Sequence, residues 1–282
     1  WCLCAKDLNT KKMWTFLEHE MEKAVELLRS ADVLIGHNII QYDIPLLERL
    51  YGKIDTRVYD TLIVSRLMYP DRQNHPFGGN SLKAWGEHLG CSKIQYDLGF
   101  NKFQPEMVEY CKQDVIVTEN IFNTQKEFIT KFPDPIRLEH RVAKIIASQQ
   151  ANGIGFNLEV ANKLEHDLLM EKVLIEDDMS EIFQPIKKLN YVEAKTLVKY
   201  FDTVKMLSQL SDWILRAVSS RDGRIHGYVN TQGTVTGRMT ASQPNLQQVS
   251  GDSRTRELFV PRDGWVQVGI DASGLELRML AH

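Results

Sequence analysis

The sequence contains no long apolar run and few cysteines, and both shortages narrow the classes of protein it can belong to. No stretch approaches the roughly 20 apolar residues needed to span a bilayer. The first residues, WCLCAKDLNTKK, lack the basic and apolar regions of a signal peptide. The four cysteines form no C-x-x-C pair and have no histidine at zinc spacing. We therefore expect reduced thiols in a cytosolic protein rather than a zinc site or a disulfide framework.

The chain also has no surplus of basic residues, since 34 Lys and Arg stand against 37 Asp and Glu. This balance argues weakly against nucleic-acid binding, but it permits a basic groove beside acidic metal sites. Of the 282 residues, 43% are hydrophobic and 25% are charged, which predicts a folded protein of about two domains. The sequence begins without Met inside a strand-like run, as a piece cut from a longer protein would.

Three sections follow one another along the chain and together predict an α/β protein with a largely buried sheet. Residues 1–131 mix apolar strands with helices, residues 132–221 are helical, and residues 222–282 return to strand patterns. The prolines of KFPDPIRLEH mark the first seam, and RIHGYVN and TVTGR predict a late hairpin. DVLIGHN predicts a buried strand, and the predicted helices cover residues 44–52, 60–69, 81–90, 105–128, 136–152, a stretch from 158, and 191–219.

Residues 264–282 read GWVQVGIDASGLELRMLAH, and Asp271 is the strongest single candidate in the chain. Apolar residues alternate from Val266 to Ile270, which predicts a strand with one buried face that leads to Asp271. A carboxylate at a strand end, beside a turn with exposed carbonyls, can hold the hard divalent cation that phosphoryl transfer uses. On spacing alone, an Asp that caps the helix predicted from Leu275 is an equal alternative.

A second acidic set occurs in the first section. HNIIQYD places Asn38 and Asp43 after a predicted buried strand. YCKQD places Tyr110 and Asp114 four residues apart, on one face of a helix. Such carboxylates can fix two metal ions about 4 Å apart for phosphodiester cleavage. Taken singly, Tyr110 can be a core residue, Asn38 a turn residue and Asp114 an exposed helix acid.

These motifs resemble those of the family A DNA polymerases. DASGLELR is similar to motif A of that family, in the variant of podovirus-type phage replicative polymerases, and TVTGRMTASQPNLQQVS resembles its TGR…PNLQ motif. HNIIQYD and YCKQD resemble the second and third motifs of DEDD-type 3′→5′ exonucleases of the YxxxD subtype, the proofreading domain of the family. The resemblance implies a ribonuclease H-like exonuclease domain over 1–131, a helical thumb or linker over 132–221 and the start of a polymerase palm over 222–282.

The resemblance also implies roles for residues of the polymerase half. Asp271 and the carbonyl of Ala272 would bind two catalytic Mg²⁺ ions, which Mn²⁺ can replace. Glu276 would narrow the sugar pocket and select dNTP, and Arg238 would read the minor groove of the primer-template DNA. The same duplex face would be lined by Gln243, Asn245 and Gln248.

In the exonuclease half, the resemblance implies a second pair of Mg²⁺ ions. Asp43 and Asp114 would be metal ligands, Tyr110 would orient the attacking water and Asn38 would contact the substrate strand. The DxE pair of the first exonuclease motif has no counterpart, because Asp7 is the only nearby acid and no Glu lies two residues on. The chain also stops before the fingers helix and the second palm Asp of the family. We therefore expect this piece to be inactive by itself, within an active parent.

The resemblance also implies partners, and two other functions stay open as alternatives. The resemblance implies a monomeric polymerase subunit in the host cytoplasm of a phage, with a processivity factor as a further partner. The long thumb insertion of phage members is reduced here to residues 158–188. A stand-alone DEDD-type exonuclease with a nucleic-acid-binding tail explains the first section but not the later motifs. A non-catalytic DNA-binding fragment, held by the thumb-like helices and Arg238, fits a chain with two incomplete sites.

Overall fold

The computed structural model describes residues 1–72, 78–92, 94, 96, 99, 103–182, 191–275 and 278. The backbone divides into two compact units. One contains Trp1–Gln150 with Val229–Thr240, and the other contains Ala151–Tyr228 with Ala241–His282. The units divide near residue 150 rather than at the predicted seam near 131. The division of the chain into three functional sections stays a prediction.

Strands and helices alternate in the first unit, as an α/β protein requires. The strands are β1 (Cys2–Lys6), β2 (Met13–Leu17), β3 (Val33–Gly36) and β4 (Arg57–Asp60). The helices are α1 (Met21–Ser30), α2 (Asp43–Tyr51), α3 (Thr61–Met68), α4 (Leu82–His88), α5 (Glu106–Lys131) and α6 (Pro133–Asn152). β1 and β2 form an antiparallel hairpin, and β3 and β4 pair in parallel. Over the described ranges these are separate two-stranded sheets, not the one largely buried sheet that was expected.

Proline and glycine lie at helix boundaries, where the sequence predicts them. Gly52 follows α2 with a φ of 82°, a conformation that glycine adopts without strain. Pro105 occupies the N-cap position of α5. α5 ends at Lys131, and α6 begins two residues later at Pro133. The predicted break between these two helices is therefore confirmed.

The core of the first unit lies where the β3–β4 pair meets α1, α2, α3 and α6. Its buried members are Val25, Leu34, Ile40, Leu47, Ile54, Val58, Ile63 and Ala143. A smaller cluster of Trp85, Val117 and Ile121 joins α4 to α5. Full burial of one aliphatic side chain stabilises a fold by about 1.5–3 kcal/mol. These clusters therefore fix α5, the helix that carries Tyr110 and Asp114, in the same packed unit as β3.

Two long helices, both predicted, dominate the second unit. They are α7 (Leu158–Ile182) and α8 (Tyr191–Ser219), and the shorter elements are β5 (Gly155–Phe156), β8 (Phe259–Val260) and α9 (Ser253–Arg256). Asn157 caps α7, since its Oδ1 accepts the N–H of Val160 at 3.1 Å. The shared core is Phe156, Ala161, Leu164, Leu168, Leu207, Leu210, Trp213, Ala217, Ile225 and Leu258. Among the described helices, none combines the length and apolar character that crossing a membrane requires.

The late hairpin exists, but its second strand is not the predicted one. β6 (Tyr228–Asn230) pairs with β7 (Thr240–Ser242), not with TVTGR. Residues 234–237 instead form a turn, in which the N–H of Gly237 donates to the Thr234 carbonyl at 3.0 Å. Gly237 has a φ of 76°, which a strand cannot contain. The prediction failed because this glycine favours a turn over an extended backbone.

The segment that leads to Asp271 is not a strand, so that prediction is wrong. Val266 is 82% exposed and Ile270 is 94% exposed. A strand needs a neighbour to bond its N–H and C=O groups, and no segment in the described part of the chain pairs with this one. The alternation of apolar residues predicts a face that could be buried, but not the neighbour that would bury it.

Candidate functional site

The loop between β3 and α2 carries Asn38 and leads to Asp43, and Asp60 holds it in place. Asp60 is 1% exposed at the end of β4. Its Oδ1 accepts the N–H groups of Asn38 and Leu62, both at 2.9 Å. Its Oδ2 accepts the N–H of Ile40 at 3.1 Å. Burial raises the pKa of Asp60, and these three hydrogen bonds oppose the rise. Three backbone N–H groups thus converge on one carboxyl group, which fixes the backbone of the loop.

The same loop turns the chain into α2. Asn38 has a φ of 63°, in the left-handed region that asparagine tolerates better than most residues. Its carbonyl accepts the N–H of Tyr42 at 3.1 Å. Asp43 then becomes the first residue of α2, where the helix dipole favours a negative charge.

Asp43 is an exposed residue with an unusual carboxyl group. Although solvent reaches part of the residue, protein atoms crowd the carboxyl, and this desolvation raises its pKa to about 6. The nearby Asp60 carboxylate adds to the rise, while a hydrogen bond from the backbone N–H of Asp43 opposes it. A carboxylate that is poorly solvated gains from a neighbouring cation. Its environment therefore disfavours the charged form of Asp43 unless a cation lies nearby, and the role of Asp43 as a metal ligand stays a prediction.

Tyr110 and Asp114 lie on α5, half-buried and four residues apart, so both project from one face. The Tyr110 ring packs against Tyr96, with centroids 5.8 Å apart. Farther along α5, the buried Gln125 donates from Nε2 to the carbonyl of Thr61 at 2.9 Å. Thr61 directly follows Asp60. The helix with Tyr110 and Asp114 is thus tied to the strand end that holds the Asn38 loop.

Sequence reasoning missed Asp60, Gln125 and His140. His140 is 8% exposed, its Nε2 accepts the backbone N–H of Asp60 at 2.8 Å, and its Nδ1–H donates to the Ile136 carbonyl at 2.7 Å. These bonds require the neutral ring, and burial lowers the pKa of His140 accordingly. The sequence contained one signal, an Asp at the start of the predicted helix 60–69, a position where Asp often acts as a helix cap. The hydrogen bonds that this Asp accepts from the Asn38 loop, about twenty residues upstream, have no signature in the sequence.

The donor types in the first unit suit a hard cation. Mg²⁺ typically binds one or two carboxylates and keeps waters or substrate phosphate oxygens as its other ligands. Asp43 and Asp114 are donors of that kind. Across the described residues, no three His, Cys, Asp or Glu side chains form a ready-made metal cluster. The role of Asp43 and Asp114 as cation ligands therefore stays a prediction.

Asp7, the acid considered for the first exonuclease motif, has a structural role. Its Oδ1 accepts the N–H groups of Thr10 at 2.6 Å and Asn9 at 2.8 Å in the β1–β2 turn. These bonds, that from Thr10 foremost, lower the pKa of Asp7. A carboxylate used in this way stabilises the hairpin, which accounts for Asp7 without a metal.

Arg238 lies at the end of the β6–β7 turn, in the first unit. Its backbone N–H donates to Thr234 Oγ1 at 2.9 Å, and its carbonyl accepts the N–H of Gly233 at 2.9 Å. The residue is exposed. The turn thus holds the backbone of Arg238 while its side chain stays accessible.

The PNLQ motif and the glutamines on either side of it lie in the second unit. Gln243 and Gln248 are exposed, whereas Asn245 is half-buried. The Asn245 Oδ1 accepts the N–H of Gln247 at 3.1 Å and caps a short 3₁₀ helix, Leu246–Gln248. Gln248 also lines an open groove of about 800 Å³ between α7, α8 and residues 248–254. The Asn245 side chain therefore has a structural role, as the cap of this short helix.

Asp271 and Ala272 lie in an exposed segment outside any helix or strand. The N–H of Arg278 donates to the Gly274 carbonyl at 3.0 Å. Glu276 lies outside the described residues. Within the part of the chain that the structure describes, Asp271 joins no cluster of acidic residues.

Comparisons with known proteins identify the family of the chain. The model of DNA polymerase family A matches residues 137–282, just over half of the chain. The DNA-directed DNA polymerase of Enterobacteria phage T3 is 22% identical over 438 aligned positions, which cover 90% of this chain and 62% of the phage protein. The thermostable DNA polymerase I of Thermus aquaticus is 30% identical over 164 positions, 51% of this chain and 20% of that protein.

One solved structure extends the likeness to the fold. The POL domain of Pol1 from M. smegmatis, in complex with DNA primer-template and dNTP, matches with a TM-score of 0.71 at 13% identity. The match covers 91% of this chain and 52% of that one. The chain spans about three fifths of the length of the phage proteins. Because the alignment with them is longer than the chain, the phage proteins carry insertions relative to it.

Proposed function

This chain belongs to DNA polymerase family A, and we propose that the complete protein is a DNA-directed DNA polymerase. The observation that carries the proposal is the order TGR, PNLQ and DASGLELR inside residues 137–282, the part that the family model matches. The solved relative was captured with primer-template DNA and dNTP. We propose the same two substrates for this protein.

In the polymerase half, Asp271 is the proposed ligand of a divalent cation, with the Ala272 carbonyl as a second oxygen donor. Both are exposed, so a nucleotide can reach them. Mg²⁺ bound there would neutralise the charge that develops on the transferred phosphoryl group. Glu276, five residues after Asp271 in the sequence, would narrow the sugar pocket.

Contacts to the duplex are proposed for the residues of the TGR and PNLQ motifs. The accessible guanidinium of Arg238 can donate to the N3 and O2 acceptors that every base pair presents in the minor groove. A contact of this kind checks the shape of a base pair without reading its sequence. The polar side chains proposed to line the same face are Gln243, Asn245 and Gln248.

A 3′→5′ proofreading exonuclease, of ribonuclease H-like fold, is proposed for the first unit. Its support is the Asp60-held loop and its link through Gln125 to α5. Asp43 and Asp114 would hold the cations, the Tyr110 hydroxyl would orient the attacking water, and Asn38 would contact the substrate strand. A monomeric subunit, a processivity factor and a place in the host cytoplasm stay predictions.

Primer extension by the complete protein, in Mg²⁺ and in Mn²⁺, tests the polymerase proposal. Asp271→Ala should abolish extension, because Asp271 is the only Asp of DASGLELR and its Glu276 is assigned to the sugar pocket. Asp263→Ala is the matched control, since Asp263 is also exposed and precedes the motif. Extension that survives Asp271→Ala would refute the proposal. A wild-type protein that binds primer-template DNA but never extends it would favour the non-catalytic alternative.

A further inference from the structure

Helix α7 carries apolar side chains on two opposite sides. One side is buried, and its members are Ala161, Leu164, Leu168 and Ile175. At 3.6 residues per turn, the opposite side carries Leu169, Met170, Val173 and Leu174. These four side chains are between 49% and 64% exposed. Because a helix at the surface of a folded protein ordinarily turns a polar face to solvent, the second apolar face indicates a second packing partner.

A charged or chargeable residue closes each end of this exposed face. His166 lies one turn before the apolar residues, Asp177 lies one turn after them, and both are exposed. The spacings from His166 through Met170 and Val173 to Asp177 are four, three and four residues. This is the spacing of a heptad seam, along which two α-helices pack side by side. The face therefore has the pattern of a helix that binds another helix.

The order of residues on the face is complementary to itself when its direction is reversed. Two copies of α7 can lie antiparallel about a two-fold axis through the middle of the face. The facing pairs are then Met170 with Val173, Leu169 with Leu174, and His166 with Asp177. Each pair occurs twice, because a two-fold interface repeats every contact. Apolar residues thus meet in the middle, and a basic residue meets an acidic one at both ends.

We propose that this face of α7 binds the same face of a second copy of the chain, as an antiparallel pair of helices. The charges select the direction, because a parallel pair would set His166 against His166 and Asp177 against Asp177. The contact is one helix wide and buries less than the roughly 800 Å² per partner of a standard interface. Weak association, with a dissociation constant in the micromolar range, follows from that small area.

The proposal does not depend on the polymerase or exonuclease assignments, because it concerns only the surface of α7. It contradicts the monomeric subunit that the family resemblance implies. The oligomeric state of the protein in solution decides between the two.

Sedimentation velocity over a wide range of micromolar concentrations tests the proposal without any variant. The sedimentation coefficient of the chain should rise with concentration from the value of a monomer to that of a dimer. A monomer at every concentration would overturn the proposal. The complete protein should behave in the same way. If it stays monomeric where the chain dimerises, another segment of the protein covers the face, and the proposal is wrong.

A matched pair of variants locates the contact. Leu174→Glu should weaken dimerisation at least tenfold, because it sets a charge opposite Leu169 in the apolar middle of the pair. Leu215→Glu is the control, since Leu215 lies on α8 and, like Leu174, is 64% exposed. Neither change removes a buried side chain, and circular dichroism checks that both variants are folded. Equal weakening by the two variants would contradict a contact through α7.

A charge reversal tests the antiparallel direction. His166→Glu and Asp177→Lys should each weaken dimerisation several-fold, because each sets like charges opposite one another. The double variant should restore it, because a carboxylate then faces an ammonium at both ends of the pair. The two residues are about 16 Å apart along one helix, at 1.5 Å per residue, so they can pair only between copies. A double variant that dimerises no better than either single variant would refute the antiparallel pair.

Discussion

The loop that leads to Asp43 and the segment that leads to Asp271 look alike in sequence and differ in structure. Each places an acidic residue after an apolar stretch. In the first, Ile40 is 4% exposed and its N–H donates to Asp60. In the second, Ile270 is 94% exposed, and no described strand pairs with its segment. An acidic motif therefore indicates the chemistry of a site, whereas its geometry depends on neighbours that the motif does not contain.

The greatest expected effect concerns the proposed exonuclease ligands. Asp43→Ala or Asp114→Ala in the complete protein should lower 3′→5′ degradation of a labelled strand by on the order of 10³-fold, because a cation ligand worth several kcal/mol is removed. Primer extension should be spared, since Asp271 belongs to the other unit. Asp55→Ala is the control, as Asp55 is exposed and pairs only with Lys53 among the described contacts. Equal loss of both activities would refute the assignment of degradation and extension to separate units.

The same substitution in both regions measures how far their packing differs. Ile40→Ala should lower the free energy of unfolding by about 2–5 kcal/mol, because it leaves a cavity in the first core. Ile270→Ala should change it by no more than about 0.5 kcal/mol, because the side chain is already in solvent. Urea denaturation of each variant, followed by circular dichroism, gives both values. A large loss for Ile270→Ala would show that this segment is packed.

The elements that sequence predicts well are those whose signals are local. Helix 191–219 carries its apolar stripe within itself, and the break before Pro133 depends on proline alone. The strand before Asp271 failed because alternation defines a face but not a partner. Gly237 converted a predicted strand into a turn through its own backbone conformation. Asp60 was missed since its role arises only when folding brings a loop onto its carboxylate.

Asp60→Asn tests that role directly. Asparagine keeps the shape, but its side-chain NH₂ group cannot accept the hydrogen bond that a carboxyl oxygen of Asp60 accepts. The free energy of unfolding should fall by about 2 kcal/mol. The amides of Asn38 and Ile40 should exchange hydrogen faster, which NMR can follow residue by residue. Asp55→Asn should stay within about 0.5 kcal/mol of wild type, because exposed ion pairs contribute little; equal effects of the two variants would refute the role of Asp60.

The smallest expected effect is a pH dependence that comes from Asp43. Its pKa is raised from 3.8 to about 6 in the folded chain, so the folded state binds this proton more tightly than the unfolded state does. Stability from this group is therefore full below about pH 4 and is lost as the pH rises through about 6. Asp43→Asn removes the titration.

Urea midpoints of wild type and Asp43→Asn, measured across that pH range without divalent cations, isolate the contribution of Asp43. The advantage of wild type over the variant should shrink as the pH rises and then level off above the folded pKa. The change should be modest, because solvent reaches part of the residue and screens the charge. An advantage that grows with pH would mean that the carboxylate is stabilised in the folded chain, which would contradict the raised pKa of Asp43.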